Sequence, residues 1–475
     1  MLAHGPAARP RGCPGRGRVA GVVPSRVMIE PGMEGIAFEA VTLLPGLAAL
    51  VKRSGDLDGN LPVRAARYCG PVFEGSAAGF QVMLGQPMTL KRDRRGRVTW
   101  DLTPPVLQLI REETAAAVER GGREGLIDPR SPWWRSFRQD PLPVRGNRAL
   151  VWTGLVVRPR AGLWLIVGGA FNRRSRIAVV DHVVSDPERF VPLVVEIDLR
   201  DVGREVCWME GELACVTPVA PRVRVRKERL TAGAPELKAF AGFFSEAYFE
   251  TKAQHPTAAY VRQTRDRRVK AAETCEARLL FAGPDVHGIG EFKRFITEAG
   301  FAGAPRSPGT LQFALVRHIA RLRWTWQGQT HTSFEVGQRR LLPALEALWK
   351  ASIGDAAPSG FEFLANYALG EHWDQPYVQV QPWAFLPTPD GWSTLVDGVH
   401  HPPEYDGMRA VIATDWFHAL AMVLRLFGPG KVDLPPRAPL LRALPVSRPV
   451  LDLGVNEATL APVSPTPSPT PEPGP

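Results

Sequence analysis

The groups best suited to chemistry in this 475-residue sequence gather late in the chain, at His372-Trp-Asp374, His400, His401, Asp415 and His418. A His-x-Asp pair followed at a distance by another His, all carried on β-structure, supplies two imidazoles and a carboxylate. That donor set suits Fe(II) and leaves positions open for a co-substrate and oxygen. On this reading His372, Asp374 and one of His400, His401 and His418 hold the ion, and Fe(II) is the one cofactor implied. The competing reading is plainer: His-x-Asp is a short string, these are surface or hydrogen-bonded loop histidines, and no cofactor is present. Asp198 and Asp415 each close an apolar run. A carboxylate there either meets a ligand cation or makes a turn by accepting backbone N–H groups, and the turn is the commoner use.

The other motifs of common enzymes are missing. There is no Gly-x-x-x-x-Gly-Lys-[Ser/Thr] phosphate loop, no His-Glu-x-x-His helix and no Gly-x-Ser-x-Gly elbow. Gly283-Pro-Asp-Val-His-Gly-Ile-Gly290 lacks the strand, spacing and helix start of a dinucleotide site. The five cysteines are scattered without Cys-x-x-Cys spacing, which argues against a disulfide framework or structural zinc and fits a reducing, cytoplasmic setting. Net charge is +10, carried by 49 arginines against 9 lysines. With 45 Gly and 46 Pro, that skew reads as the codon usage of a GC-rich genome. Arg222-Val-Arg-Val-Arg-Lys-Glu-Arg229 reads as a charge-guarded edge strand, and no aromatic platform accompanies it, so nucleic acid is not an expected partner. The apolar runs are too short to span a membrane.

The elements that must position these groups are strands. Short runs rich in Val, Leu and Trp are punctuated by Gly and Pro, the pattern of turn-linked antiparallel β-structure. Two stretches share one layout. Trp152 to Gly169 and Trp383 to Gly398 each hold a Trp, an apolar run, a Pro-containing turn ending in Gly162 or Gly391, and a second apolar run. Downstream, Val194–Leu199 answers Val411–Trp416, which sets Asp198 opposite Asp415, and Val216-Thr-Pro-Val219 answers Ala443-Leu-Pro-Val446. Upstream, a strand–turn–strand at Met88–Trp100 answers Ala320–Thr330. In the first copy a helix follows, capped by Thr103 and stopped by Gly121-Gly122. The expectation is an α+β, predominantly antiparallel protein: two homologous β-sandwich or barrel-like units from an internal duplication. Its parts are a disordered basic arm at 1–33, β-rich repeat 1 at 34–230, a helical connector at 231–300, β-rich repeat 2 at 301–447 and a disordered Pro-rich tail at 448–475.

Several short motifs resemble those of a family of uncharacterised bacterial proteins known only as a domain of unknown function. They are Arg67-Tyr-Cys-Gly-Pro-Val72, Gly79-Phe80, Pro387-Thr-Pro-Asp-Gly-Trp392, Ala413-Thr-Asp-Trp416 and Gly211-Glu-Leu213. The resemblance implies a β-rich fold and carries no activity, substrate or catalytic residue. Val72, Phe80 and Leu213 depart from the family pattern, which would make the chain a divergent member.

The functional expectation is therefore a cytoplasmic binding or scaffolding protein holding a peptide or small molecule at or between its β-units. The iron-dependent, oxygenase-like enzyme is the alternative, and nucleic-acid binding through the arginine segments a second. Trp164, Asp198, Trp392 and Asp415, from the repeat, would meet the ligand. Trp133-Trp134, in a stretch that reads as loop, would form a recognition surface if exposed. The Pro-rich tail is a tether, or a ligand for a protein partner.

Overall fold

The computed structural model describes residues 35–55, 57, 69–85, 87–170, 172, 178–199, 205–208, 211–220, 223–229, 231, 233–236, 239, 260–262, 264, 274–281, 286–289, 311–315, 321–327, 331–336, 377–380, 384–398, 405–418, 420, 422–426, 430–433 and 439–460. Among these residues β-strands dominate, helices are few, and no helix is long and apolar enough to cross a membrane.

In the first half, β1 (Ile36–Thr42), β7 (Arg148–Pro159), β11 (Val191–Asp198) and β9 (Ala178–Val180) form one antiparallel run, with the short β6 (Val144–Arg145) on β7. A second sheet has the order β10 (His182–Val184), β8 (Trp164–Gly168), β13 (Glu212–Val219), β3 (Phe80–Leu84), β2 (Ala48–Lys52). A third joins β12 (Glu205–Trp208), β4 (Met88–Arg92) and β5 (Val98–Trp100). Alternation along the strands decides the layers. Phe38, Leu155, Val157 and Val195 from the first sheet share a core with Val82, Leu165, Val167 and Val216 from the second. Phe38 meets Phe80 edge-on at 5.2 Å between ring centroids. The other face of the first sheet, through Val41, Trp152, Val156 and Val194, is covered by helices α2 (Pro104–Arg123) and α3 (Pro132–Gln139). A shorter helix, α1 (Gly70–Ala77), precedes β3.

The second half runs through β15 (Cys275–Phe281), β16 (Val286–Ile289), β17 (Leu311–Leu315), β18 (Arg321–Gln327), β19 (His331–Val336), β20 (Tyr377–Val380) and β21 (Ala384–Phe385). It continues through β22 (Trp392–Gly398), β23 (Tyr405–Met408), β24 (Ala410–Ile412), β25 (Met422–Leu426), β26 (Gly430–Asp433) and β27 (Pro439–Ser447). Its five-stranded sheet has the order β24-β22-β27-β17-β16, and a three-stranded sheet the order β26-β18-β19. Position for position along the chain, these are the strand orders of the corresponding first-half sheets. The register agrees too. Pro218 of β13 lies opposite Leu165 and Cys215 opposite Gly168, while Pro445 of β27 lies opposite Thr394 and Arg442 opposite Asp397. Cys215 and Arg442 each also face a glutamine, Gln81 on β3 and Gln312 on β17. Gly162 and Gly391, at the turns leading into β8 and β22, both adopt positive φ, at 82° and 79°, which glycine accepts without strain.

Two strands cross between halves. The chain leaves β13 into β14 (Val223–Arg229), which pairs in parallel with β15. It leaves β27 through α4 (Arg448–Leu451) into β28 (Gly454–Thr459), which pairs in parallel with β1.

Several expectations need correction. Asp198 and Asp415 are not equivalent: Asp198 ends β11, whereas Asp415 lies in the turn after β24, whose place beside β22 matches that of β10 beside β8. Strands β15 and β16 fall inside the stretch expected to be a helical connector. Described residues of that stretch at 260–262 and 264 are helical. Residues 448–460, expected to belong to a disordered tail, form α4 and β28. Thr103 stands at the N-cap of α2 without a side-chain cap bond, and the helix runs past Gly121-Gly122 to Arg123. The arm at 1–33, the tail from 461 and Trp383 lie outside the described residues.

Candidate functional site at the junction of the five-stranded sheets

Residues of the two five-stranded sheets that point away from their own half meet in one apolar cluster. Ile166, Val183 and Val219 come from the first sheet, and Leu395, Val411, Leu444 and Val446 from the second. Ile166 and Leu395 hold the same register position, as do Val219 and Val446, and Val183 and Val411. Both sheets therefore offer the same face.

Beside this cluster lies a buried polar group assembled from both halves. Arg409, just before β24, reaches across to β13: its Nη1 donates to Cys215 Sγ at 3.2 Å and its Nη2 to Thr217 Oγ1 at 2.7 Å. Its Nε lies 3.3 Å from Asp397 Oδ1 of its own half. In the opposite direction Asp181, just before β10, reaches Arg442 of β27, which also holds Asp397 Oδ2 at 2.9 Å. Arg53 donates to the same Cys215 sulfur at 3.5 Å and pairs with Glu212 at 3.3 Å. Asn172, at φ 62°, ties the main chain of Arg409 through both amide atoms and donates to Ser76 Oγ of α1.

The electrostatics follow from burial. Arg409 and Asp397 have side chains only 1% and 4% exposed, so each charge needs the other within reach. Burial disfavours a charged Arg442, but Asp181 and Asp397 outweigh it and hold its pKa above the ordinary arginine value. Burial lowers His182, beside Asp181 in sequence, below the usual imidazole value. Tyr260 is buried against the same sheet; its hydroxyl donates to Val411 O at 2.9 Å and accepts from Ala413 N at 2.8 Å. Burial keeps that phenol well above its ordinary pKa. Thr264 on the same helical stretch bonds Glu74 of α1, so the segment grips both halves. The chemistry of this arrangement is fixation: Asp397 lies against Arg409 and Arg442, Asp181 against Arg442, and Glu212 against Arg53.

The sequence-derived candidates do not converge on one place. Trp134 is buried against Trp152 at 5.2 Å, edge-on, and Trp133 stacks on Phe137. Both belong to helix α3, so the stretch that reads as loop is corrected to a helix packed on the first sheet, with Trp134 buried and Trp133 half-buried. Trp392 is fully buried, and Trp164 packs at the rim of the junction cluster. Asp415 accepts both Nη atoms of Arg448, at 2.9 and 2.5 Å, and takes Gly391 N at 3.2 Å, tying the turn before β22 to α4. Asp198 is buried opposite Arg148 at the end of its strand. His418, at φ 57°, has Nδ1 2.8 Å from Thr414 O. His372, Asp374, His400 and His401 lie outside the described residues. Among the described residues no group of three His, Cys, Asp or Glu could hold a metal ion. On the face of β14 and β15, Arg224 and Arg226 lie 4.0 and 3.8 Å from Glu276, and Arg278 pairs with Glu228 and Glu236. The arginine-rich strand β14 therefore carries counter-charges alongside it.

Arg53, Asp181, Glu212, Asp397, Arg409 and Arg442 were not among the sequence-derived candidates. A usable signal existed for three of them: Asp397 and Arg442 are the single charges of their strands, and Arg409 is the single charge of the run Gly407–Ala413 that leads into β24. No family model matches the chain, and no curated protein matches it.

Proposed function

We propose that the protein is a binding or scaffolding module built from two β-units of common ancestry, held in one fixed relation by their shared junction. The first unit spans Ile36–Val219 and the second Cys275–Ser447. Its ligand, a peptide or small molecule, is met by the outer surfaces and loops, because the inner faces are occupied by each other's side chains. The observation that carries this reading is the reciprocity of the junction: Asp181 reaches Arg442 from one half, and Arg409 reaches Cys215 from the other. Such two-way contacts between matching positions are the mark of an isologous interface. The strand orders and the shared register support common ancestry, and the buried ion pairs support a rigid frame.

The test uses the purified, metal-free, full-length chain. No turnover is expected across a panel of esters, phosphoesters, peptides and glycosides. A peptide and small-molecule library screened by thermal shift should contain a ligand that stabilises the chain by about 2.7 kcal/mol at a hundred times its Kd. Sustained hydrolytic turnover would overturn the reading.

A further inference from the structure

Every pairing between described strands is antiparallel except two, and those two are the crossings between halves. After the last strand of its five-stranded sheet, the first half sends β14 to lie parallel to β15, the first strand of the second half. After the corresponding strand, the second half sends β28 to lie parallel to β1, the first strand of the first half. The trade is reciprocal in direction, in partner and in pairing sense.

The two ends of the β28 segment are held differently. Its root, α4, is gripped from both halves: Arg448 is 1% exposed and bonds Asp415, Trp392 O and Ser393 Oγ of the second half, while Val450 packs against the first-half core, Lys52 Nζ donates to Leu451 O at 3.0 Å, and Leu451 enters the junction cluster. Beyond Asp452 and Leu453 the strand lies on β1 with Asn456, Glu457, Ala458 and Thr459 exposed. Val455 and Leu460 are partly buried against the first half. Along Asn456–Thr459 the strand is held by a main-chain ladder, which is indifferent to the chain that supplies it.

We propose that the chain is a fused, strand-exchanged dimer of one β-unit, and that the β1 edge accepts β28 from a second copy of the chain. Two chains then pair by trading β28, as the two halves trade β14 and β28 within one chain. The proposal rests on the common-ancestry reading above. Within one chain the short Asp452–Leu453 link gives β28 a high effective concentration at β1, so the trade between chains is won by refolding at high protein concentration.

Thr42 and Thr459 stand opposite each other in the β1–β28 register. Full-length Thr42→Cys and full-length Thr459→Cys, each checked for native circular dichroism and melting temperature, are refolded together and joined by a short bismaleimide. Tryptic mass spectrometry identifies the linked positions against the background of the parent cysteines. A link between positions 42 and 459 of different chains is expected, its yield rising with concentration during refolding and falling when the variants are refolded apart and then mixed. A chain carrying both substitutions should form the link internally at any concentration. If only the internal link forms, exchange between copies is overturned and the common-ancestry reading stands. If the internal link also fails in a folded chain, β28 does not lie on β1, and both the exchange and the reciprocal trade fall.

Discussion

At the junction the two halves use the same frame and differ in a few side chains. The apolar positions are conservative: Ile166 answers Leu395, Val219 answers Val446, and Val183 answers Val411. The polar positions diverge. Cys215 stands where the second half has Arg442, Gly168 where it has Asp397, and Asp181 where it has Arg409. Two copies of the second half would bring Arg409 against Arg442, and two copies of the first would bring Asp181 against Cys215. Only the unlike pairing adds a second acid, Asp181, to Arg442 while giving Arg409 a soft acceptor. The difference teaches that burial of apolar surface supplies the attraction, while a handful of buried charges chooses which half meets which.

That contrast can be broken most sharply at Arg409. Arg409→Ala strips Asp397 of one partner and leaves a buried carboxylate short of charge, so a loss of about 3–5 kcal/mol is expected in urea unfolding. A loss below about 1 kcal/mol would mean the charges are incidental. The apolar frame is next. Ile166→Ala and Leu395→Ala should each cost about 2–5 kcal/mol, and the double variant should depart from additivity by about 0.5–3 kcal/mol if the two share one packed space. Strict additivity would separate the sheets. Tyr260→Phe removes a hydroxyl that serves both Val411 O and Ala413 N, and about 1–3 kcal/mol should be lost. An unchanged melting temperature would remove Tyr260 from the account.

The smallest effect is a pH dependence. Burial depresses the pKa of His182 in the folded chain, so the unfolded chain takes up the proton first as pH falls. Its contribution is complete above the unfolded imidazole value of about 6.5 and is lost below it, by less than about 1 kcal/mol at pH 6. The slope of stability against pH between 5 and 7 should flatten in His182→Gln; an identical slope would place the proton elsewhere.

Much of the β frame was legible because it is written in turn residues and alternation. Gly162 and Gly391 adopt the left-handed conformation their matching turns require, and Pro218 and Pro445 fall at one register position. Val194–Asp198 and Val411–Asp415 misled because an apolar run closed by Asp looks alike in any sheet; by strand order the counterpart of β11 is β25. The β15 strand carried a readable signal in Cys275–Leu279, where buried and exposed residues alternate with Glu276 and Arg278 outward. Its place in a stretch with helical spacing on both sides hid it. No such signal marks Gly454–Thr459, since a strand held by its main chain at an exposed edge needs no apolar pattern. The junction was illegible for a similar reason. Arg53, Asp181 and Glu212 are ordinary charges in sequence and become buried partners only when distant strands are brought together.

Native-state hydrogen exchange tests most directly whether the two halves form one frame. Amides of β7 and β13 report on the first half, and amides of β22 and β27 on the second. If the junction fixes the halves as one body, the slowest amides of both sets exchange at the same free energy, and Arg409→Ala lowers both by equal amounts. Slowest amides of β22 and β27 that open at a much lower free energy than those of β7 and β13, with Arg409→Ala acting on one set alone, would contradict the account.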